Sequence, residues 1–520
     1  MAQKKTKTTR PVAKTKSTKS KTITSAVKKT SKPKKTTVNS EKSTQQERPS
    51  FELEIDRIFQ KQKQNRWNIA NTGADERIQK LIKLRKAIEA RENEIKEAVF
   101  KDFHKSSHEA ILTEILPVIM EIKDACKNLK KWMKPVSVFT PVTLLGSTSK
   151  LIYEPKGQVL ILGPWNYPFH LIMAPLIAAI ASGNVIMIRP SELTIHTSKL
   201  VKELIDSIFE ENEVSVILGE LPTSQYLLTK NFDHIFFTGS PNVGKIVMEA
   251  AAKNLTSVTL ELGGKSPVII DESANLDYTS TNVIWGKILN GGQTCVGVDY
   301  ALVHESRVKE FIEKGVSKLK EFYGDDINSW RSNKDLCRVI NDKNYNRIKD
   351  MVEEGLEKGG KVEIGGLFSD EEKYISPTLL TNVPMDVKIM QEEIFGPVLP
   401  IVTYKHIDDA IKIVQNKEKP LALYIFSDKE YVIKKILKNT SSGGVVVNGV
   451  LLHLLNPNIP FGGVNHSGLG SYHGHFGFKA FSHERAFLKI NKLDMMVIRK
   501  LIPPYTNLTN KLADWIMKFF

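Results

Sequence analysis

The sequence predicts an α/β protein in which helices cover both faces of parallel sheets. Short apolar runs of strand length alternate with helical stretches between residues 151 and 270, and the same alternation returns in the second half of the chain. Such alternation is typical of a doubly wound parallel sheet. With 520 residues, 41% of them hydrophobic, the chain is long enough to bury these sheets in two or three domains.

The strong positive charge belongs to the first segment of the chain. The net charge is +16, but residues 1–40 contain twelve lysines, Arg10 and no acidic residue, which leaves only +3 for the other 480 residues. Residues 1–50 have almost no large apolar side chains, so we expect a disordered basic tail. A solvated tail, attraction to anionic lipid or nucleic acid, and organelle targeting all stay open. The charge indicates no specific nucleic-acid partner for the folded body.

Cysteine content and hydropathy fit a cytoplasmic protein. The three cysteines, Cys126, Cys295 and Cys337, cannot form a disulfide framework, and their spacing matches no metal site. Such cysteines suit a reducing compartment. No apolar stretch has the length to span a bilayer, and the start lacks the apolar core of a secretory signal. Association with a membrane surface through the tails stays open.

The elements follow in chain order. Residues 51–135 are predicted to be helical because apolar residues recur at helical spacing, and Pro135 and Pro141 then break the pattern. The strands predicted for the first sheet are Val159–Leu162, Val185–Ile188, Val214–Leu218, His234–Phe237 and Ser257–Leu260, with helices at Pro175–Ala181 and Ser198–Phe209. The strands predicted for the second α/β region are Val268–Ile270, Tyr300–Val303, Leu399–Tyr404, Leu421–Phe426 and Val445–Val447. Nucleotide sites in such sheets lie beyond the carboxyl ends of the strands.

A small-residue loop follows the predicted strand His234–Phe237. Gly239, Gly244 and Lys245 match most of a P-loop, but Ile246 stands where that motif needs Ser or Thr. The loop also lacks the middle glycine of a dinucleotide fingerprint. A strand that ends in small residues and leads into a helix can still bind phosphate with its free N–H groups. An ordinary strand-to-helix turn explains the loop equally well.

Two further positions could have reactive side chains. Glu261 ends an apolar strand and is followed by two glycines; burial would raise its pKa and make it a base, whereas pairing with Lys265 would make it an ordinary structural glutamate. Cys295 lies in a glycine-rich loop, Asn290–Cys295. A single cysteine is more often an inert core residue than a nucleophile.

Taken together, residues 60–490 resemble the aldehyde dehydrogenase superfamily. The matching segments are Gly163–Phe169, Gly183–Asn184, Arg189–Glu192, Phe237–Ser240, Glu261–Gly264, Asn290–Cys295, Glu392–Pro397 and Pro460–Gly463. The short helical N-terminal region and the segment Phe461–Gly474 look most like the class 3, fatty aldehyde branch. The resemblance implies a Rossmann-like cofactor domain, an α/β catalytic domain and a small bridging β element.

The resemblance also implies the chemistry. Cys295 would attack the aldehyde to give a thiohemiacetal and then a thioester. The Asn166 amide and the Cys295 backbone N–H would hold the oxyanion, and Glu261 would activate the water that releases the acid. The substrates would be medium- or long-chain aliphatic, or aromatic, aldehydes. A coenzyme A-acylating enzyme and a catalytically silent structural relative are the alternatives.

Cofactor contacts are implied in the same way. Glu192 would contact the adenosine ribose, which favours NAD although NADP stays open, and Arg189 stands where the family usually has Lys. Glu393 would hold the nicotinamide ribose, and Phe395 would pack near its ring. The remaining residues expected at the cofactor are Trp165, Gly239, Ser240, Pro241, Asn242, Val243 and Gly244.

The resemblance also predicts the oligomeric state of the protein and the boundaries of its domains. Thr148–Tyr153 and Ala486–Ile490 correspond to strands that bridge subunits, which implies a homodimer or larger, although ordinary edge pairing stays open. Helical spacing of Leu508, Leu512, Trp515, Ile516 and Phe519 predicts an amphipathic tail that docks on the protein or lies at a membrane surface. The predicted segments are tail 1–50, helical region 51–147, bridging strand 148–154, cofactor domain 155–260, catalytic domain 261–465, returning strand 466–492 and C-terminal tail 493–520.

Overall fold

The structure is a computed structural model that describes residues 48–141, 144, 146–491 and 502–519. Of the predicted basic tail, only the last three positions are among the described residues. Residues 493–501 of the predicted C-terminal tail also lie outside the described residues. The described chain beyond Arg48 forms one compact unit that contains three main sheets.

Helices form the N-terminal region, as the spacing of its apolar residues predicts. They are α1 (Ser50–Ala70), α2 (Ala74–Ala90), α3 (Glu92–Phe103), α4 (Ser107–Ala110) and α5 (Leu116–Trp132). One turn of π-helix, Ile111–Ile115, lies between α4 and α5. Leu81, Leu84 and Ile88 are fully buried because their spacing of three and four residues places them on one face of α2.

A three-stranded antiparallel sheet contains both predicted bridging segments. Its strands are β1 (Val136–Val138), β2 (Thr148–Pro155) and β18 (Ser482–Lys489), in the order β1-β2-β18. The register pairs Thr148 with Lys489 and Pro155 with Ser482. Among the described residues β18 is an edge strand, and seven of its eight residues are exposed.

The first main sheet follows the predicted strands closely. It contains β3 (Gln158–Leu162), β4 (Val185–Arg189), β5 (Val214–Val216), β6 (His234–Thr238), β7 (Ser257–Glu261) and β17 (Gly468–Leu469). The order is β17-β7-β6-β3-β4-β5, and all neighbours are parallel except β17 with β7. The helices of this region are α6 (His170–Ser182), α7 (Ile195–Asp206), α8 (Leu221–Leu227) and α9 (Pro241–Ala252).

Helices cover both faces of this sheet, which confirms the doubly wound prediction. Val159 and Ile161 of β3 pack in a core with residues of α2, α3, α5, α6 and α7. Leu160 and Leu162, which point to the opposite face, pack with residues of α1, α8 and α9.

The second main sheet has seven strands in the order β10-β13-β14-β9-β8-β15-β16. They are β8 (Pro267–Ile270), β9 (Tyr300–His304), β10 (Lys361–Ile364), β13 (Thr378–Thr381), β14 (Val398–Tyr404), β15 (Ala422–Phe426) and β16 (Gly444–Val447), and only β10 is antiparallel to its neighbour. A separate hairpin pairs β11 (Phe368–Ser369) with β12 (Tyr374–Ile375). The helices of this half are α10 (Leu276–Ile288), α11 (Val308–Tyr323), α12 (Asp342–Glu357), α13 (Lys388–Gln391), α14 (Ile407–Gln415), α15 (Glu430–Asn439) and α16 (Gly474–Ala480).

A final helix, α17 (Asn507–Phe519), coincides with the predicted amphipathic segment. Leu508, Trp515 and Met517 are more than half exposed. Within the part of the chain that the structure describes, no helix combines the length and the apolar character needed to cross a membrane.

Candidate active site

The carboxyl ends of four neighbouring strands bring most of the predicted site residues together. Because β7, β6, β3 and β4 lie side by side and are parallel, their carboxyl ends meet at one edge of the sheet. Glu261 ends β7, Gly239 follows β6, Gly163–Asn166 follows β3, and Arg189 ends β4. This is the edge at which nucleotides bind in doubly wound sheets.

The loop after β6 leads into α9, whose N-terminus has features of helices that bind anions. The Ser240 hydroxyl accepts a hydrogen bond from the Val243 N–H at 3.4 Å, and Pro241 occupies the first helical turn. Ser240, Asn242 and Val243 are exposed. A side chain at Gly244 would collide with Leu262, which directly follows β7, so glycine permits the close approach of helix and sheet. The N-terminus of α9 is therefore open to a phosphate group.

Arg189 and Glu192 form a polar pair at the end of β4. Arg189 Nη1 lies 2.6 Å from Glu192 Oε2, and Arg189 Nη2 donates to the Gly219 carbonyl at 3.1 Å. Arg189 is buried, whereas the Glu192 side chain is 40% exposed. The carboxylate is thus held at the surface of the same edge, where a ribose hydroxyl could reach it.

The Cys295 loop leaves α10 through a left-handed backbone. Asn290, Gly291 and Gly292 have φ values of +58°, +61° and +74°. A side chain at Gly292 would overlap the carbonyl of Gly396, so this position requires glycine for both conformation and space. The loop is consequently pressed against the Glu393–Pro397 segment, and Cys295 keeps partial exposure.

Asn166 is tied directly to this loop. Its Nδ2 donates to the Gln293 carbonyl at 3.0 Å, and its own carbonyl accepts from Asn290 Nδ2 at 2.9 Å. The neighbouring Tyr167 hydroxyl lies 2.6 Å from Thr294 Oγ1. The side-chain amide nitrogen has two hydrogens, so Asn166 has a second one that can bind a ligand.

Glu261 is the most isolated charged group of the site. It is 3% exposed, and neither carboxylate oxygen has a hydrogen-bond partner among the described residues. Burial raises its pKa well above the ordinary value of 4.5. The alternative of an ion pair with Lys265 is wrong, because Lys265 pairs with Asp299 and donates to the carbonyls of Ile389 and Glu392.

The Glu393–Phe395 segment completes the site from the second half of the chain. Glu393 lies against Gly263, where any side chain would overlap its carboxylate. Burial, followed by the charge of Asp299, raises the pKa of Glu393 to about 8. The Trp165 and Phe395 rings meet edge to face at 5.3 Å between centroids, which joins the two halves.

The electrostatics of the cysteine reflect its acidic neighbours. Burial, then the charges of Glu393 and Glu261, raise the pKa of the Cys295 thiol to about 12. All three groups therefore favour their protonated forms in the protein alone.

A cavity of about 330 Å³ lies between α5 and the segments that contain His170, Leu454 and His473. Its apolar walls include Met120, Leu454 and Leu455, and its polar lining consists of His170, His473, Glu121, Lys123, Asp124 and Lys127. Tyr472 stacks on His473 with 4.0 Å between ring centroids. Burial, then the charges of Glu261 and Cys295, raise the pKa of Tyr472, so this ring is close enough to both reactive groups to interact with them electrostatically.

Several residues at the site were not singled out from the sequence. Tyr167 and Gln293 lie inside recognised motif segments, which is the signal that could have found them. Glu109 and Glu114, which bond to the two loops of the site from the helical region, have no such signal.

The site thus combines a sheet edge of the kind that binds nucleotides with the Cys295 thiol and the isolated, buried carboxylate of Glu261. This arrangement is expected of a cofactor-dependent enzyme that uses a cysteine nucleophile. The aldehyde dehydrogenase family model matches residues 10–487, and the chain belongs to this family. It is an NAD(P)-dependent aldehyde dehydrogenase, which oxidises aldehydes to carboxylic acids.

Individual relatives support this assignment. The chain is 46% identical to 4,4'-diaponeurosporen-aldehyde dehydrogenase of Staphylococcus aureus over 82% of its length and 92% of the relative. It is 44% identical to aldehyde dehydrogenase family 3 member A2 of Macaca fascicularis (79% and 83% coverage) and 41% identical to the dimeric NADP-preferring aldehyde dehydrogenase of Rattus norvegicus (82% and 93%). The solved substrate-bound structure of Staphylococcus aureus AldH is similar with a TM-score of 0.83 and 41% identity, and the match covers 89% of this chain and 99% of that one. These relatives agree with the class 3, fatty aldehyde branch.

Proposed function

We propose that Cys295 is the nucleophile, Asn166 an oxyanion donor and Glu261 the base for hydrolysis. The observation that carries the proposal is the isolation of Glu261, a buried carboxylate without a partner among the described residues. An unpaired buried carboxylate costs stability, so its presence beside a thiol favours a chemical role. A raised pKa also makes it a stronger base for water when it is ionised.

The residues would act in a fixed order. The Cys295 thiol loses its proton to solvent and its sulfur forms a bond to the aldehyde carbon, while the C=O electron pair moves to the oxygen, to which Asn166 Nδ2 and the Cys295 backbone N–H donate. After oxidation to the thioester, Glu261 takes a proton from water, which attacks the acyl carbon and releases the acid and the thiol. Glu261 thereby favours hydrolysis over transfer to coenzyme A.

The cofactor would bind at the strand edge described above. The N-terminus of α9, with Gly239, Ser240 and Gly244, would hold the pyrophosphate, and Glu393 the nicotinamide ribose. Bound NAD(P)+ supplies the acceptor for the hydride. Trp165 and Phe395 would flank the nicotinamide ring. Because Glu192 is a carboxylate near the expected adenosine ribose, it disfavours a 2′-phosphate and favours NAD over NADP.

The cavity beside Tyr472 favours apolar substrates. Its lining by Met120, Leu454 and Leu455 suits an aliphatic chain or an aromatic ring. We therefore propose medium- or long-chain aliphatic and aromatic aldehydes as the substrate class.

The test compares NADH formation with hexanal and with benzaldehyde, each with and without coenzyme A. We expect turnover without coenzyme A, loss of turnover in Cys295→Ala, and unchanged turnover in the matched control Cys126→Ala. Cys126 packs against the hydrophobic core and is not among the residues that line the cavity. Turnover in Cys295→Ala would refute the mechanism. A requirement for coenzyme A would favour the acylating alternative, and an inactive wild type would favour the silent one.

We further propose a homodimer formed through exposed strand edges. Phe487 and Leu488 of β18 are 41% and 47% exposed, and Val445 and Val447 of the edge strand β16 are 37% and 39% exposed. Unpaired edges with apolar side chains are templates for pairing with another strand. The dimeric relative from Rattus norvegicus supports this proposal.

Finally, we propose a cytoplasmic enzyme that associates with membrane surfaces through its tails. The exposed apolar side chains of α17, among them Leu508 and Trp515, together with Lys511 and Lys518, suit the interface of an anionic bilayer. The lysine-rich residues 1–40 would add electrostatic attraction to the same surface.

A further inference from the structure

Two glutamates of the helical region contact the two loops of the active site. Glu109 Oε1 accepts from the Asn290 N–H at 3.1 Å, at the start of the Cys295 loop. Glu114 Oε2 accepts from the N–H groups of Phe169 and His170, at 3.2 Å and 2.9 Å, directly after Asn166 and Tyr167. Each carboxylate therefore fixes one of the two loops that would hold the oxyanion.

The π-helical turn explains how one short segment reaches both loops. On a regular α-helix, residues five positions apart differ in direction by about 140°. Glu109 lies just before the turn Ile111–Ile115 and Glu114 lies inside it, so the wider i to i+5 geometry reduces the angle between their side chains. Burial, and to a smaller extent the charges of both glutamates, raise the pKa of Tyr167, so both carboxylates lie on the side of this ring.

The surrounding contacts hold the carboxylates in place. Glu114 is fully buried and pairs with the fully buried Lys105, whose ammonium group lies 4.1 Å from the centre of the Tyr167 ring. Glu109 Oε2 accepts from the Cys337 thiol at 3.3 Å. A buried charge pair with every atom engaged is costly to rearrange, so the geometry it imposes on its neighbours is stiff.

We propose that Glu109 and Glu114 are positioning residues that fix the Asn166 amide relative to the Cys295 loop, so that both oxyanion donors reach one oxygen. The inference rests on the function proposed above for Asn166 and Cys295. Neither glutamate touches the substrate. They act through the backbone N–H groups of Asn290, Phe169 and His170.

The experiment separates oxyanion geometry from thiol reactivity. Aldehyde oxidation needs the oxyanion donors, whereas alkylation of Cys295 by iodoacetamide displaces iodide and develops no oxyanion. Both rates are measured on the full-length enzyme, with hexanal for oxidation and with mass analysis of the Cys295 peptide for alkylation. Misplacement of reacting groups by about 1 Å can cost about 100-fold in rate.

For Glu109→Ala we expect kcat to fall about 10- to 100-fold, with little change in the KM for hexanal and in the rate of alkylation. Glu109→Gln keeps an oxygen that can accept from Asn290 and should recover most of kcat. Glu97→Ala is the matched control, because Glu97 lies on α3 with a largely exposed side chain that pairs only locally with Lys101. Unchanged kcat in Glu109→Ala would overturn the proposal. So would a parallel loss of oxidation and alkylation, or a Gln variant as slow as the Ala variant.

Glu114 is tested without leaving a buried charge. Lys105→Met/Glu114→Gln removes both charges and keeps an acceptor oxygen, whereas Lys105→Met/Glu114→Ala removes the acceptor as well. Only the second variant should lose kcat, again with alkylation retained; equal kcat in the two variants would overturn the role of Glu114. Turnover in Cys295→Ala would refute the proposed function itself. Inactive Cys295→Ala and Asn166→Ala beside fully active glutamate variants would refute only this inference.

Discussion

Replacing Glu261 by Gln removes the proposed base while keeping the shape of a buried side chain that has no partner among the described residues. General base catalysis is worth about 100- to 10,000-fold, so we expect kcat for hexanal oxidation to fall within that range. Since the base acts after oxidation of the thiohemiacetal, the variant should still form about one NADH per active site in a rapid burst. Rapid-mixing absorbance at the NADH band measures both phases.

The same substitution changes the stability of the protein. Burial raises the pKa of Glu261 above 4.5, so the folded state holds a proton that the unfolded state releases above that pH. The contribution of Glu261 is thus fully present below pH 4.5 and is lost as pH rises toward its folded-state pKa. The free energy of unfolding of wild type should fall relative to Glu261→Gln by about 1.4 kcal/mol for each pH unit in this window.

Urea unfolding of both proteins at pH 4.5, 5.5 and 6.5 measures the difference. Equal pH dependence in the two proteins would show that the Glu261 carboxyl is not perturbed in the folded state. A variant that keeps more than about a tenth of wild-type kcat would exclude Glu261 as the base, given the range stated for general base catalysis. Absence of the burst would place its action before the oxidation step.

Three further predictions concern the cofactor, the assembly and the tails. In Glu192→Gln, loss of the carboxylate should lower the KM for NADP relative to the KM for NAD by roughly tenfold. An unchanged ratio of the two KM values would show that Glu192 does not contact the adenosine ribose. Phe487→Lys/Leu488→Lys should convert a dimer to a monomer in sedimentation velocity, because it places charge on the exposed edge of β18, and a persistent dimer would contradict edge pairing. Deletion of residues 1–50 should leave turnover nearly unchanged, and deletion of residues 1–50 or 493–520 should reduce sedimentation with anionic liposomes. Equal sedimentation of the full-length protein and both deletion variants would remove the membrane proposal.

Buried parallel strands were the part of the fold most accessible from the sequence. Strands such as β3 and β15 are buried along their whole length, so they are continuous apolar runs. Two of the strands that were missed lack such runs: β1 is exposed at all three positions, and the edge strand β10 contains Lys361 and Glu363. The missed strand β13 is buried, but its four residues include only two apolar ones. Short edge strands are stabilised by their neighbours and not by their own apolar content.

The site was predictable where its residues lie in contiguous motifs and unpredictable where long-range contacts decide. The choice between a base and an ion pair for Glu261 depended on where Lys265 points, and Lys265 pairs with Asp299, thirty-four residues away in sequence. Glu109 and Glu114 were not singled out, because helical periodicity gives no sign of a π-helical turn. The resemblance to the family predicted the roles of the site residues, whereas their hydrogen-bond and ion-pair partners became known only from the structure.

The acidic character of the site connects cofactor binding to the ionisation of the nucleophile. Burial and the charges of Glu393 and Glu261 raise the pKa of Cys295 to about 12, so a thiolate is strongly disfavoured in the protein alone. The oxidised nicotinamide ring carries a positive charge, and a cation beside Cys295 would lower this pKa.

By thermodynamic linkage, if bound NAD+ favours the Cys295 thiolate by a given factor, the thiolate strengthens the binding of NAD+ by the same factor. We therefore expect the affinity for NAD+ to rise between pH 7 and pH 9 in wild type, and to rise less in Cys295→Ala. The affinity for NADH, whose ring is neutral, should lack this component. Calorimetry on both proteins with both forms of the cofactor measures the four pH profiles. Identical profiles for NAD+ in wild type and Cys295→Ala would show that the thiol and the cofactor ring are not electrostatically coupled.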